Sequence, residues 1–223
     1  MLKNGRTMHK IIYKHAITFE ISPTEKIIIQ LDLSLDRLDC CYIVDILLSQ
    51  FNQEYTLSNE PVRCAMEDLT KFLKQALNNE LQLHESITQN IGYLCNEYWQ
   101  EKEGFVIDHL TNETSIWVGY RYRLWEGNNN NVSTNSWIYN DNNGAIILEI
   151  TPSYPYTFCE PAEEPDYIPY DEWIKTYKPY LIKTLSIETA QKWLEQSKYI
   201  TKVIQTNVAR WEKSLAENNE ILS

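Results

Sequence analysis

Glycine is scarce in this chain, with six among 223 residues. A phosphate-cradling loop needs glycines in fixed register, and neither G-x-G-x-x-G nor G-x-x-x-x-G-K-[ST] occurs. The five cysteines (Cys40, Cys41, Cys64, Cys95 and Cys159) are odd in number and contain no C-x-x-C pair. Adjacent cysteines such as Cys40 and Cys41 strain badly as a disulfide, so reduced thiols and a cytoplasmic location are expected. Four scattered histidines (His9, His15, His84, His109) offer no H-E-x-x-H, and no EF-hand loop is present, so neither metal nor cofactor is expected. No G-x-S-x-G and no cysteine-nucleophile signature occurs, so no catalytic residue is assigned and the chain is read as a non-enzyme. No apolar run approaches the ~18 residues that span a bilayer, and no apolar segment marks a signal peptide. Residues 1–7 carry no pattern, which leaves Met1 or Met8 as the start.

Positive charge is also short. Twenty Lys and Arg face 31 Asp and Glu, for a formal net charge of −11. Nucleic-acid backbones and anionic lipids need clustered cations, so neither is an expected partner. A basic protein partner, or solubility alone, fits the balance.

What the chain does hold is a distinctive stretch at residues 152–173. It contains five of the eight prolines, four of the 15 tyrosines, six acidic residues and no Lys or Arg. Proline fixes φ and removes a donor, so an extended ordered loop is expected there. Flat rings beside carboxylates suit a surface that grips a basic protein. The candidate partner-binding residues are therefore Glu160, Glu163, Glu164, Asp166, Tyr167, Tyr170, Asp171, Glu172 and Trp173.

Hydrophobic periodicity predicts a single α+β domain over 1–223, with residues 1–8 a candidate disordered terminus and a C-terminal helical segment at 186–219. Residues 9–21 alternate as a strand with His15 on its apolar face, and 27–33 return as its hairpin partner. Helices are expected at 38–51, at 61–77 with Asn59 as cap, and from Ile87 to before Gly104. A four-strand meander follows at 105–110, 115–125, 136–140 and 145–150, its last turn the type I′ dipeptide Asn143-Gly144, with 127–135 a polar loop. The N-terminal hairpin extends it to an antiparallel sheet of about six strands, packed with helices from residues 36–100 and 170–218. The long C-terminal helix starts after Ser186, carries Trp211 and Leu215 on its buried side, and has a candidate break at 196–199.

Within the expected strand 115–125, Trp117, Gly119, Arg121, Arg123 and Trp125 line one face. That places two guanidiniums between two indoles, a secondary candidate site for cation–π and carboxylate contacts. The ordinary reading is that Arg121 and Arg123 pair with acidic neighbours, including those of 152–173. An alternative enzyme would use His109 with Asp108 beside Arg121 and Arg123, in a cleft between sheet and helices. A further alternative is a structural subunit that oligomerises through the C-terminal helix; the oligomeric state itself is open.

The acidic run at 160–172, the strand at 117–125 and the hairpin at 137–150 together resemble, in type, bacterial immunity proteins of the polymorphic and contact-dependent toxin systems. No family motif is matched residue by residue. The resemblance implies a cytoplasmic inhibitor that binds one cognate toxin domain, often a basic nuclease, and blocks it with carboxylates and aromatics.

Overall fold

Alternating burial builds the first sheet. β1 (His15–Ser22) buries Ile17 and Phe19, while β2 (Glu25–Leu31) buries Ile27, Ile29 and Leu31. The computed structural model describes residues 15–109, 115–129, 132–157 and 166–221, so the expected strand is seen from His15, which shares the face of Ile17 and Phe19 but is exposed at the start of the strand. β3 (Ile43–Gln50) and β4 (Gln53–Pro61) complete a four-stranded antiparallel meander. Here the expected helix at 38–51 is overturned. Ile46 and Leu48 pair with Ile29 and Ile27 and extend the buried face of β2, which suits β-branched residues. Ile46, Leu47 and Leu48 are all buried, and that unbroken run imitated a helical stripe. Phe51 and Asn52, with φ of 48° and 66°, are a two-residue turn between paired Gln50 and Gln53. Phe51 is 69% exposed, the reverse of its expected place.

α1 (Val62–Leu77) runs straight on from β4 and buries the expected Val62, Ala65, Met66, Leu69, Phe72, Leu73 and Ala76. Asn59 does not cap it; its amide donates to Asp45 across β3 and β4. α2 (Ile91–Trp99) is capped by Asn90, whose side chain accepts from the Tyr93 N–H. It ends at Trp99, and the chain reaches Gly104 through a turn.

The remaining strands do not join the first sheet. β7 (Arg123–Asn129), β8 (Val132–Asn140), β9 (Ile146–Ser153) and β10 (Leu181–Leu185) form a second four-stranded meander. β5 (Ile107–His109) and β6 (Ser115–Trp117) form a separate two-stranded ribbon. The fold is thus α+β as expected, but with two meanders and a ribbon in place of one sheet of about six strands. The polar loop expected at 127–135 is largely strand, and Thr134, Asn135 and Ser136 of β8 are buried there. The turn before β9 is not type I′, since of its residues only Gly144 has positive φ; it closes through Gly144 N–H to Asp141 O and Asp141 N–H to Ala145 O. Asn140, fully buried, ties this sheet to α1 by donating to Ala76 O and accepting from Leu81 N–H.

One hydrophobic cluster takes in both meanders, α1, α2 and α4 (Ile187–Ile221). α4 is a single helix without the expected break, and Ser186 caps it by accepting from Thr189 N–H. Trp193 and Gln196 of α4 donate to the carbonyls of Glu20 and Thr18. Those carbonyls belong to the outer edge of β1, so the helix also covers a sheet edge that would otherwise invite strand addition. Trp211 is 64% exposed and Leu215 is exposed too, contrary to expectation.

The two meanders meet where β4 lies against β7. A Cβ on Gly127 would stand 2.5 Å from the Thr56 carbonyl oxygen and 2.8 Å from the Leu57 carbonyl carbon. The Thr134 hydroxyl donates to that same carbonyl. Backbone cannot step aside as a side-chain end can, so Gly127→Ala should lower unfolding stability by ~1–3 kcal/mol, the usual cost of forced overpacking. Urea unfolding followed by circular dichroism reads this directly; an unchanged midpoint would mean the sheets are not in backbone contact there.

Candidate functional site

Beyond β9, the described residues of 154–173 fold onto α2. Tyr154 is buried; its N–H donates to Asn96 Oδ1 and its hydroxyl to the Ile168 carbonyl. The Tyr156 hydroxyl donates to Asp166 O. Asn96, itself buried, donates to Gly92 O and Pro152 O, which fixes the exit of the chain from the sheet. A short helix, α3 (Tyr170–Trp173), follows. Tyr170 is buried, and its hydroxyl donates to Glu97 Oε1 at 2.6 Å. The Lys102 ammonium sits 2.6 Å from Glu97 Oε2 and 5.4 Å from the Tyr170 ring centroid.

Ring contacts join these pieces. Tyr154 meets Tyr156, Tyr170 and Trp173 at centroid distances of 5.6, 5.3 and 5.5 Å. Tyr156 meets Tyr167, and Trp173 meets Tyr177, whose hydroxyl donates to Asn90 at the head of α2. Such pairs add ~0.5–1.5 kcal/mol each beyond burial. The result is an aromatic platform mounted on α2 and already fixed by hydrogen bonds.

The carboxylates lie on its outside. Asp166, Asp171 and Glu172 are exposed and make no ion pair among the described residues. Tyr167 and Trp173 are half-buried, whereas Tyr170 is a structural member of the platform and not an outward anchor. Glu160, Glu163 and Glu164 lie outside the described residues. Beside the platform, Trp99 (42% exposed), Glu101, Glu103, Phe105 and Thr157 border a hollow of about 800 Å³.

The secondary candidates do not form a face. The expected strand 115–125 ends at Trp117 and passes through a 3-10 turn, Val118–Tyr122, before β7 begins. Trp117 is buried against Tyr98, Phe105 and Tyr120. Trp125 is buried with its Nε1–H unpartnered among the described residues. Arg121 makes a two-pronged pair with Asp108. Arg123 stacks 4.3 Å from the Tyr120 ring centroid and pairs with Glu126 at 2.8 Å. Both arginines are thus held internally, as their ordinary reading expects, but neither reaches the described part of 152–173.

Asp108, His109 and Arg121 do border one hollow, of about 340 Å³, with Ile116 and Tyr120. His109 Nδ1 lies 2.9 Å from Ser115 Oγ. Asp108 is committed to Arg121, and Arg123 points away to Tyr120 and Glu126. Among the described residues no three His, Cys, Asp or Glu side chains converge to hold a metal ion, and no helix is long and apolar enough to cross a membrane. Compared with protein-family models, curated proteins and solved structures, the chain matches none.

One group unforeseen in the sequence is central to the mounting. Glu149 of β9 is 0% exposed. Its Oε1 accepts the Gly92 N–H at 3.0 Å and its Oε2 accepts the Tyr139 hydroxyl at 2.9 Å. Gly92 is required there, because a Cβ would fall 2.2 Å from Thr151 Oγ1. Burial pushes the Glu149 carboxyl up from 4.5 to about 6, against the lowering effect of the two hydrogen bonds. Burial likewise raises Tyr139 and Tyr177, with the Glu149 charge adding to both. The readable signal was a lone acid inside the apolar run Ile146, Ile147, Leu148, Glu149, Ile150.

A raised folded-state pKa means that the group stabilises the fold fully below pH 4.5, and that this contribution is lost as pH rises through about 6. The full window corresponds to about 2 kcal/mol. Urea unfolding of the wild type and of Glu149→Gln between pH 4 and 8 should show the difference in stability, wild type minus variant, falling by that amount across the window. Parallel curves would show that the Glu149 pKa is the same in the folded and unfolded states.

Proposed function

We propose that this chain is a non-enzymatic, cytoplasmic binding protein of the toxin-immunity kind, which neutralises a basic toxin domain through its acidic, aromatic surface. The observation that carries the reading is the combination at 154–173. Asp166, Asp171 and Glu172, exposed and without an ion pair among the described residues, stand on a set of rings already locked to α2 by hydrogen bonds, so little ordering cost remains at binding. Asp166, Asp171 and Glu172, with Glu160, Glu163 and Glu164 of the same stretch, supply attraction. Tyr167 and Trp173 supply contact area, and Tyr170 holds α3 in place. The neighbouring hollow with exposed Trp99 extends the surface. Trp117, Arg121, Arg123 and Trp125 take no part, being consumed internally.

Complementary charge acts mainly on the association rate, and salt screens it. The combined variant Asp166→Asn, Asp171→Asn, Glu172→Gln should therefore bind basic toxin domains, beginning with any encoded beside this gene, with an association rate ~10-fold lower at low salt. At ~0.5 M salt the difference should vanish. Trp173→Ala should instead speed dissociation, by ~10-fold or more for an interface anchor. Surface plasmon resonance separates the two rates. Rates that are unchanged in the charge variant would remove this surface from the mechanism.

A further inference from the structure

The segment that joins β2 to β3 places two thiols side by side. Neighbouring side chains in extended backbone point to opposite faces, but Cys40 and Cys41 occupy a turn, and their Sγ atoms are 3.6 Å apart. The turn is held on every side. Asp39 Oδ1 accepts the Cys41 N–H. Asn207 of α4 donates to the carbonyls of Leu35 and Leu38, and Leu38 is fully buried beneath. On the far side the Tyr42 carbonyl accepts the first N–H of α1, and the Tyr42 hydroxyl accepts the Asp32 N–H. Cys41 is exposed and Cys40 half-buried, so both can be reached from solvent. They stand at the rim of a cavity of about 570 Å³ walled by Leu38, Val208 and the exposed ring of Trp211.

Three kinds of chemistry use paired thiols, and the geometry separates them. A disulfide needs the sulfurs at about 2.0 Å and closes a strained ring between adjacent residues. A structural zinc ion would accept this spacing at Zn–S of about 2.3 Å but needs four ligands; among the described residues no three candidate ligands converge. A trivalent, pyramidal, thiophilic centre that already carries one organic substituent needs two sulfurs and no more. Its two bonds, set at close to a right angle, span a gap of this size, whereas a linear two-coordinate centre would need the sulfurs further apart. The Cys40 hydrogen bond holds the Cys41 thiol above its ordinary pKa, so Cys41 meets its ligand as a thiol and not as an activated nucleophile.

We propose that Cys40 and Cys41 form a chelating dithiol site for a monosubstituted trivalent arsenical, with the organic substituent seated in the cavity against Val208 and Trp211. With phenylarsine oxide, two As–S bonds form while the arsenic–oxygen bonds break. Both thiol protons leave with the oxygen as one water, and arsenic stays trivalent. No oxidant is required.

The test exposes the whole folded chain to phenylarsine oxide in excess glutathione and counts adducts by intact mass. One adduct per chain should resist the monothiol and be stripped by a small dithiol. Either Cys40→Ser or Cys41→Ser should lower retention by ~100-fold, the loss expected when a two-point attachment becomes one-point. Cys64→Ser and Cys95→Ser should retain the adduct. Tryptophan emission should change on binding in the wild type and not in Trp211→Phe. Circular dichroism of each serine variant confirms that it is folded, and a folded variant of either cysteine that still holds the adduct against glutathione overturns the site. An adduct that leaves the Trp211 emission unchanged overturns it equally.

Discussion

The seat of α2 on β9 is the contact on which the rest of this structure depends. Gly92 has no Cβ, so the first turn of α2 closes onto Thr151, and the Gly92 N–H reaches the buried carboxylate of Glu149. An acid at a helix N-terminus is favourable, and burial strengthens the attraction while it makes the charge costly to hold. Asn90, Tyr93, Asn96 and Glu97 then project from a helix whose position is fixed. Asn90 and Tyr93 hold Tyr177, Asn96 holds Pro152 and Tyr154, and Glu97 holds Tyr170.

The same layer explains why β8 is so polar. Thr134, Asn135 and Ser136 are buried between the second meander and its neighbours, where an apolar residue would be the usual choice. Thr134 and Asn135 give hydrogen bonds to Thr56 and Ser153, while Asn135 Oδ1, Ser136 Oγ and Trp125 Nε1 have no partner among the described residues. Buried polar networks fix one arrangement of their elements because any shift leaves donors unpaired. Here they fix how the meanders meet, and so where the platform stands relative to β4 and β7.

Charge is distributed to match. The arginines near the ribbon, and Lys102 near α3, are spent on internal carboxylates and rings. The acidic side chains of 166–172 are left facing water. An excess of negative charge costs self-repulsion in the compact state, which is tolerable where the groups are exposed and screened. The dithiol turn shares no residue with this surface; it is held by α4 and the start of α1 through a different set of bonds. The two features can therefore be altered separately.

How far the chain announced all this differs by element. α1 and the buried half of α4 were readable because an apolar stripe at 3.6-residue spacing has few other outlets, and β1 and β2 because strict alternation has none. The segment at 43–50 was not, since a strand buried on both faces and a helix stripe look alike over so short a run. Nor was the division into two meanders: which strands share a ladder is decided by contacts far apart in sequence, such as Gly127 against Thr56. In the site, composition alone singled out 152–173 as acidic, aromatic and extended. Which of its rings turn inward was set by α2, some 60 residues earlier, as with Tyr170 and Glu97, 73 residues apart. Trp117 and Trp125 were misplaced for a like reason, because the 3-10 turn between them rotates the chain and no local pattern records it. Local chemistry thus determined what kinds of surface this protein could present, and long-range packing decided which side chains were left to present it.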